Sequence, residues 1–273
     1  LRAVSWSWSE RHIEEYHRQG YTIFEAIVPT SLIADLRCAC DAARSLARER
    51  SGAQTQRLQP VFDFDIDTVP FAAFTQLPAL VDALQQTLSP RHTCTHEALG
   101  VLLEPAELPW CTAWHRDWRD NIFGLDLDRW EADLRDVDLF NQLNCALYED
   151  GSTWVVPGSH LRRDLPRETA RFPDRPIAGP DLDGLDAVSR ERSCLQYCAS
   201  LTGATQLHLA AGDLCLYRNT LWHIGNYVPY RRRATLHDFV DTPAYRTWRE
   251  REMSAANRRR EAGVGMTNPN RAT

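Results

Sequence analysis

Hydrophobic positions in the first ninety residues recur mainly at helical spacing. After Thr30 they return every three or four residues, which predicts an amphipathic helix capped by that threonine. Ser9 can cap a shorter helix ending at Gln19, because a glycine follows, and a third helix is expected over Ala79–Leu88. The β-branched and aromatic segment Tyr21–Phe24 predicts a strand. The apolar face of the long helix consists of Leu32, Ile33, Leu36, Cys40, Ala43 and Leu46.

From about residue 94 to residue 240 the pattern changes to short apolar segments between turns. Such segments predict an antiparallel sandwich or barrel. A polar stretch from Leu161 to about Arg192 interrupts them, and long polar connections of this kind are often lids or binding segments. A helix is expected again from Tyr245, followed by a polar tail. The predicted strands are Ala98–Leu103, Leu139–Tyr148, Thr153–Val156, Gln206–Leu209, Leu214–Tyr217 and Ala234–Val240.

Composition narrows the function classes without naming one. The 273 residues are 43% hydrophobic and 25% charged, which is ordinary for a globular domain. A net charge of −6 gives no support to nucleic-acid binding, and no apolar run approaches the roughly 18 residues that a membrane span needs. The eight cysteines show no CxxC pair, and the visible N-terminus shows no signal peptide. We therefore expect reduced cysteines and a cytoplasmic location.

A candidate metal site begins at the segment WHRDW. In an extended chain residues two apart point the same way, so His115 and Asp117 can converge on one ion. Ferrous oxygenases favour two histidines and one carboxylate, and His223 lies far enough downstream for the sheet to return to the same place. Taken alone, the first two residues favour a partly exposed ion pair, and His223 taken alone favours a hydrogen-bonded core histidine. Arg231–Arg233 adds arginines suited to gripping a carboxylate with two hydrogen bonds.

Four segments in order carry a family resemblance. GSTWVVPGSH, from Gly151 to His160, resembles the strand-and-turn signature of the phytanoyl-CoA dioxygenase (PhyH) family. WHRD resembles that family's first two iron ligands, AGDLCLYRNTLWHIGN its distal histidine segment, and RRRAT its co-substrate arginine. The resemblance implies a mainly β fold with flanking helices around a double-stranded β-helix, the cupin-like jelly-roll. It also implies one oxygenase domain over residues 1–273. We assign 1–93 to a supporting region, 94–242 to the jelly-roll with a lid-like insert at 161–192, and 243–273 to a helix and tail.

The same resemblance implies the site residues. His115, Asp117 and His223 would bind Fe(II), and Arg232 would hold the C5 carboxylate of 2-oxoglutarate, with Arg233 taking that place if the register shifts by one. Molecular oxygen would be the second co-substrate. Gly225 departs from the family, which often has a hydroxyl-bearing residue two positions after the distal histidine. His160 would be a turn residue of the PGSH motif and Asp213 the organiser of the turn before its strand.

The implied function is an Fe(II)/2-oxoglutarate-dependent dioxygenase that oxidises a C–H bond of a small molecule and releases succinate and CO2. Hydroxylation is the simplest outcome, although desaturation, epoxidation and cyclisation stay open. Asp117 argues against a halogenase, in which a small residue replaces the carboxylate. A sensor, isomerase or hydrolase of cupin-like fold stays open as an alternative.

The substrate is expected to be a free small molecule, such as a natural-product intermediate, rather than an acyl-CoA. Arg162, Arg163, Arg167 and Arg171 could nevertheless serve a CoA phosphate. The pocket candidates are Trp110, Trp114, Trp118, Gln142 and Asn144, although tryptophans at this spacing are more often core residues.

Overall fold

The computed structural model describes residues 6–94, 97–120, 122, 124–171 and 179–262. Its strands form two antiparallel sheets. The strands are β1 (Tyr21–Phe24), β2 (Arg57–Leu58), β3 (Thr93–Cys94), β4 (Gly100–Leu103), β5 (Trp110–Cys111), β6 (Asn141–Ala146), β7 (Thr153–Val155), β8 (Thr205–Gln206), β9 (Leu214–Arg218), β10 (His223–Tyr227) and β11 (Ala234–Asp241).

The two sheets differ in size and face one another across a cavity. The major sheet has the order β1-β9-β6-β11-β4-β2, with β3 pairing the end of β11. The minor sheet has the order β5-β10-β7-β8. Side chains of both sheets, such as Gln142 of β6 and Gly225 of β10, line the same cavity. Sequence neighbours such as β9 and β10 therefore lie in different sheets, as a jelly-roll requires, and the predicted fold class is confirmed.

Helices α2 to α4 cover the outer face of the major sheet, and α7 packs against the minor sheet. Helix α1 ends as predicted, because Gly20 adopts the left-handed conformation with φ of 87°. The predicted cap of α2 is wrong, since Thr30 is already helical and Pro29 occupies the cap position. The helices are α1 (Arg11–Gln19), α2 (Thr30–Ser51), α3 (Val69–Thr75), α4 (Pro78–Thr87), α5 (Leu127–Asp133), α6 (Pro166–Arg171), α7 (Ala187–Cys198) and α8 (Pro243–Glu261), with short 3₁₀ turns at Val61–Asp63 and Ser159–Leu161.

The largest hydrophobic core lies between the major sheet and helices α2 to α4. Alternate residues of β11 divide between two environments, as the two-residue period of a strand dictates. Ala234, Leu236 and Val240 enter this core, whereas His237 and Phe239 line the cavity on the other face. One face of the sheet thus stabilises the fold, and the other is free to carry polar groups.

The polar stretch predicted as a lid-like insert contains more regular structure than its composition indicated. Helix α6 lies within it, and α7 begins at Ala187 and continues past the predicted boundary at Arg192. Glu168 of α6 is buried because Arg162 donates two hydrogen bonds of 2.7 Å to its carboxylate. Residues 172–178 of the predicted insert and 263–273 of the predicted tail lie outside the described residues. Within the described part of the chain, no helix has both the length and the apolar character needed to cross a bilayer.

Candidate metal centre

Backbone pairing brings the two predicted ligand segments together. His115 lies outside the named strands, yet it forms an isolated antiparallel bridge with His223 at the start of β10. Their amides and carbonyls exchange two hydrogen bonds of 3.0 and 3.1 Å. The amide of Asp117 is fixed in the same way by the carbonyl of Asn219, at 2.9 Å. Three residues that are distant in sequence are therefore positioned by main-chain hydrogen bonds.

The three side chains converge as the metal hypothesis requires. Nε2 of His115 lies 3.6 Å from Oδ1 of Asp117, and Nε2 of His223 lies 4.0 Å from the same oxygen. The two imidazole rings have centroids 4.1 Å apart. One ligand atom of each residue lies within 4.8 Å of the others, so a single ion can contact all three. Two imidazoles and one carboxylate form the donor set that suits non-haem ferrous iron.

Hydrogen bonds to carbonyl oxygens set the tautomer of both histidines. Nδ1 of His115 lies 2.7 Å from the carbonyl of Ala113, and Nδ1 of His223 lies 2.9 Å from that of Leu221. A carbonyl only accepts, so both Nδ1 atoms carry the proton and both Nε2 atoms present a lone pair. Burial, reinforced by the neighbouring His115, lowers the pKa of His223 to about 4. This imidazole is therefore neutral at neutral pH, as a metal ligand must be.

A buried network of ion pairs, which the sequence analysis missed, supports the segment 115–117, called the ligand loop below. Arg116 lies between the two first ligands and is fully buried, with its guanidinium 3.2 Å from Asp164. Arg119 pairs with Asp164 at 2.6 Å and with Asp120 at 2.7 Å, and its guanidinium carbon stands 4.6 Å from the ring of Trp222. The network connects the ligand loop to the start of the polar insert and to the residue before His223. The sequence could have indicated this network. In WHRD a charged residue stands between two candidate ligands, and residue 116 must point away from the metal.

The triad opens into a cavity of about 290 Å³. Trp118, immediately after the ligand loop, lines it with an unusual left-handed backbone, φ of 67°. For a bulky residue this conformation is strained and is retained only where the surroundings fix it, here by packing against Tyr245 and Trp248 of α8. The other two predicted tryptophans do not line the cavity. Trp114 is buried in a separate core against α7, and Trp110 packs on Tyr227.

The two candidate arginines lie in different places. The side chain of Arg232 is half exposed and pairs with Asp41 of α2 at 2.5 Å, outside the cavity lining. Arg233 is buried and lines the cavity. Alternate residues of a strand point to opposite faces. Residue 233 therefore points into the cavity with His237 and Phe239, whereas residue 232 points to the other side. Of the two candidates, Arg233 is the one whose side chain lines the same cavity as the triad.

One edge of the Arg233 guanidinium is hydrogen-bonded within the protein, and the other edge is available to a ligand. Its Nε donates to Oδ2 of Asp150 at 3.0 Å, and its backbone amide donates to Glu104 at 2.8 Å. Burial alone would raise the pKa of Asp150, but Arg233, Ser152 and Thr235 together lower it to about 2. Among the described residues, Nη1 of Arg233 has no hydrogen-bond partner although it is buried. A buried guanidinium N–H without an acceptor fits a carboxylate that comes from a ligand.

Gln142 and Asn144 project from β6 into the same cavity and are linked through His237. Nδ1 of His237 donates to Oδ1 of Asn144 at 2.8 Å, so its Nε2 accepts from the Gln142 amide at 2.9 Å. Burial, with Arg57 and Arg233 nearby, lowers the pKa of His237, which keeps this ring neutral. Oε1 of Gln142 then has no partner among the described residues. The Gln142 amide is therefore held in one orientation, and its Oε1 is available to accept a hydrogen bond.

Two further predicted residues have structural roles. His160 of the PGSH turn is buried, and its Nε2 lies 3.2 Å from the carbonyl of His17. A Cβ on Gly20 would lie 2.5 Å from its ring, so this turn packs directly against the end of α1. Asp213 accepts from the amides of Ala26 and Ala210, each at 2.8 Å, and so organises the turn before β9 as predicted.

The residues present fit the group that the fold implies. Two tautomer-fixed imidazoles and a carboxylate can hold Fe(II), and the unpartnered Nη1 of Arg233 in the same cavity can hold one carboxylate of 2-oxoglutarate. The eight cysteines are all unpaired and take no part in this cluster.

Comparisons with known proteins point to the same fold. EvdMO1 is 17% identical with a TM-score of 0.57, and the alignment covers 85% of this chain and 49% of that one, so the chain spans about half its length. EvdO2 from Micromonospora carbonacea var. aurantiaca, complexed with 2-oxoglutarate, is 15% identical over 89% of this chain and 94% of that one, with a TM-score of 0.57. The epimerase SnoN, in complex with Fe3+, alpha ketoglutarate and nogalamycin RO, is 19% identical over 85% and 83% of the two chains, with a TM-score of 0.53.

A comparison with curated protein sequences found no significant match. The model of the phytanoyl-CoA dioxygenase (PhyH) family matches residues 16–226, which is well over half of the chain and includes His115, Asp117 and His223. The chain belongs to the phytanoyl-CoA dioxygenase (PhyH) family.

Proposed function

We propose that this protein is an Fe(II)/2-oxoglutarate-dependent oxygenase that oxidises a C–H bond of a small molecule, most simply by hydroxylation. The observation that carries the proposal is the coexistence, in one cavity, of the His115, Asp117 and His223 cluster and the unpartnered Nη1 of Arg233. A metal cluster alone would equally suit a cupin-like isomerase or hydrolase. A buried guanidinium N–H that lacks an acceptor, in the same cavity as the metal cluster, suits the far carboxylate of a dicarboxylate co-substrate.

Each site residue has a defined task under this proposal. His115, Asp117 and His223 hold the metal through Nε2 and carboxylate oxygens, and the carbonyls of Ala113 and Leu221 keep the two rings in the binding tautomer. Arg233 grips the far carboxylate of 2-oxoglutarate, while Asp150 orients the guanidinium. When bound, iron supplies the oxidising power by coupling oxygen reduction to decarboxylation of the co-substrate into succinate and CO2.

The inner wall of the cavity supports a substrate with both apolar and polar parts. Trp118, Ile122 and Phe239 offer apolar surface, and Gln142 offers an oriented acceptor for a hydroxyl or N–H group. Only a modest molecule can share about 290 Å³ with a co-substrate. A hydroxylated natural-product intermediate matches these features. SnoN, which has the same fold, is an epimerase, so hydrogen abstraction in such a site can lead to products other than an alcohol.

The arginines that could serve a CoA phosphate are partly engaged elsewhere. Arg162 is paired with Glu168 at 2.7 Å, and Arg163 with Glu131 at 2.7 Å. These pairs favour a free small molecule over an acyl-CoA thioester. The unpaired cysteines favour a reducing compartment, and we propose the cytoplasm.

The test is oxygen-dependent formation of succinate by the iron-loaded protein, with the Asp117→Ala variant as the comparison. We expect slow succinate release from the parent protein without substrate, faster release when a true substrate is added, and loss of both tight iron binding and succinate in Asp117→Ala. Asp35→Ala, on the exposed face of α2, is the matched control and should behave as the parent. Iron binding without 2-oxoglutarate binding would contradict the proposal and favour a non-oxidative cupin. Binding of both without succinate release would favour a sensor.

A further inference from the structure

Gly225 and Tyr227 share the inward face of β10 with His223. All three line the cavity, because alternate residues of a strand point to the same side. Along this face of β10, the candidate metal ligand His223 is followed by Gly225, which has no side chain, and then by the phenol of Tyr227. Arg233 lines the same cavity beside them.

The side chain of Tyr227 occupies the space that Gly225 leaves empty. A Cβ built on Gly225 would lie 1.9 Å from the Tyr227 hydroxyl oxygen and 2.4 Å from Cζ of its ring. Both distances are far below van der Waals contact, so any other residue at 225 would displace the phenol. The ring therefore extends back along the strand, over Gly225 and toward His223, instead of pointing straight across the cavity.

Neighbouring side chains fix the phenol in this position. The guanidinium carbon of Arg233 stands 4.9 Å from the centroid of the Tyr227 ring, and the Trp110 ring packs with its centroid 5.0 Å away. Tyr227 is only 6% exposed. Burial raises the pKa of its hydroxyl, so the group stays protonated and can donate a hydrogen bond. The result is a neutral O–H donor beside a guanidinium that has an unpartnered N–H.

We propose that Tyr227 is a co-substrate positioning residue, whose hydroxyl donates a hydrogen bond to the far carboxylate of 2-oxoglutarate while Arg233 binds the same carboxylate. The inference rests on the proposed function and extends it to a residue from a different strand position. It also explains the glycine at position 225, because only a residue without a side chain leaves room for the Tyr227 phenol. The Tyr227 hydroxyl then takes the role that a hydroxyl-bearing residue at position 225 often has in the family.

The first test is calorimetric titration of 2-oxoglutarate, without oxygen, into the Fe(II)-loaded parent protein and its Tyr227→Phe variant. A hydrogen bond to a charged group contributes enough for the variant to bind 2-oxoglutarate about tenfold more weakly. Iron affinity should not change, because Tyr227 is not a ligand. The probe for specificity is 2-oxopentanoate, which has a methyl group in place of the far carboxylate. Its affinity should be the same for both proteins.

Each outcome separates this inference from the proposed function. Unchanged 2-oxoglutarate affinity in Tyr227→Phe would overturn the role of Tyr227 and leave the proposed function standing. Equal weakening of 2-oxoglutarate and 2-oxopentanoate would also overturn it, because that result indicates a packing role. A parent protein that binds iron but not 2-oxoglutarate would overturn both.

A relocation of the hydroxyl provides the second test. Tyr227→Ala should lose at least as much 2-oxoglutarate affinity as Tyr227→Phe, because it removes the hydroxyl together with the ring. The double variant Gly225→Ser with Tyr227→Ala has room for the serine and returns a hydroxyl to the same side of β10. We expect it to recover most of the discrimination between 2-oxoglutarate and 2-oxopentanoate that Tyr227→Ala loses. Failure to recover any of it, in a variant that binds iron normally, would contradict the proposal.

Discussion

The two faces of the major sheet are built from the same strands and have opposite purposes. The outer face carries buried aliphatic residues such as Leu143 and Leu236, packed under helices α2 to α4. The inner face carries Gln142, Asn144 and His237, which are also buried but hydrogen-bonded to one another around a cavity. Burial is therefore a poor guide to role in this protein. The inner face differs because buried polar atoms of Gln142 and Arg233 line the cavity and have no hydrogen-bond partner among the described residues.

The largest stability effect is expected on the polar side, at Asp150. Asp150→Asn removes the charge that compensates buried Arg233, and breaking a buried pair costs about 3 kcal/mol or more in unfolding free energy. Urea denaturation at pH 7 measures the difference from the parent. Asp183→Asn, an exposed aspartate in the insert, is the control and should be neutral. Equal stability of parent and Asp150→Asn would show that the pair contributes nothing to the inner face.

The same carboxylate predicts a pH dependence of definite sign. The pKa of Asp150 is lowered to about 2, below the roughly 3.9 of an unfolded aspartate, so its contribution is complete above that unfolded value. The contribution is lost as the pH falls through the folded pKa. The difference in unfolding free energy between parent and Asp150→Asn should stay constant from pH 5 to pH 8 and shrink below about pH 4. A difference that instead shrinks between pH 8 and pH 5 would contradict this assignment.

The outer face gives the next effect. Leu236→Ala removes a fully buried side chain from the core under the helices, and such changes cost about 2–5 kcal/mol. Denaturant unfolding measures the loss. Iron affinity of the folded variant should equal that of the parent, because residue 236 points away from the cavity. A variant of normal stability with weakened iron binding would reverse the assignment of the two faces.

Leu102 tests the same residue type on the inner face, with a smaller expected effect. Its side chain is 4% exposed and lines the cavity, so truncation enlarges a space that already exists. We expect Leu102→Ala to cost about 1 kcal/mol in unfolding free energy, below the cost of Leu236→Ala, because no new enclosed void forms. Equal costs for the two leucines would mean that the cavity is closed and packed in solution.

The smallest effect is expected at Arg232. Its ion pair with Asp41 is half exposed on both sides, and pairs of this kind contribute about 0–1 kcal/mol. Arg232→Met should therefore change the unfolding free energy by less than about 1 kcal/mol, measured by the same denaturation. A loss comparable to that of Asp150→Asn would show that the surface arginine, not the buried one, supports the sheet.

Much of this arrangement could be predicted from the sequence, because it depends on local pattern. The two-residue spacing of His115 and Asp117, the glycine after α1 and the alternation along β11 are all visible in the chain. The choice between Arg232 and Arg233 was visible too, since Ala234, Leu236 and Val240 mark one face of β11 as core.

Other features depend on tertiary contacts that no local pattern carries. Strand β10 contains Gly225 and Asn226, which have low strand propensity, and it exists because β5 and β7 pair with its two edges. Helix α6 lies in a stretch whose composition predicted a polar connection, and its Glu168 is buried through pairing with a partly exposed Arg162. The position of the Tyr227 hydroxyl over Gly225 likewise follows from side-chain packing against Arg233 and Trp110.

The most direct test compares two neighbouring arginines in one binding measurement. 2-Oxoglutarate is titrated calorimetrically, without oxygen, into the Fe(II)-loaded parent protein and its Arg233→Lys and Arg232→Lys variants, each of which retains its positive charge but loses the planar fork. We predict that Arg233→Lys weakens 2-oxoglutarate binding by roughly 30-fold or more while iron affinity is unchanged, and that Arg232→Lys matches the parent. Weakened binding in Arg232→Lys together with parent-like binding in Arg233→Lys would contradict the account.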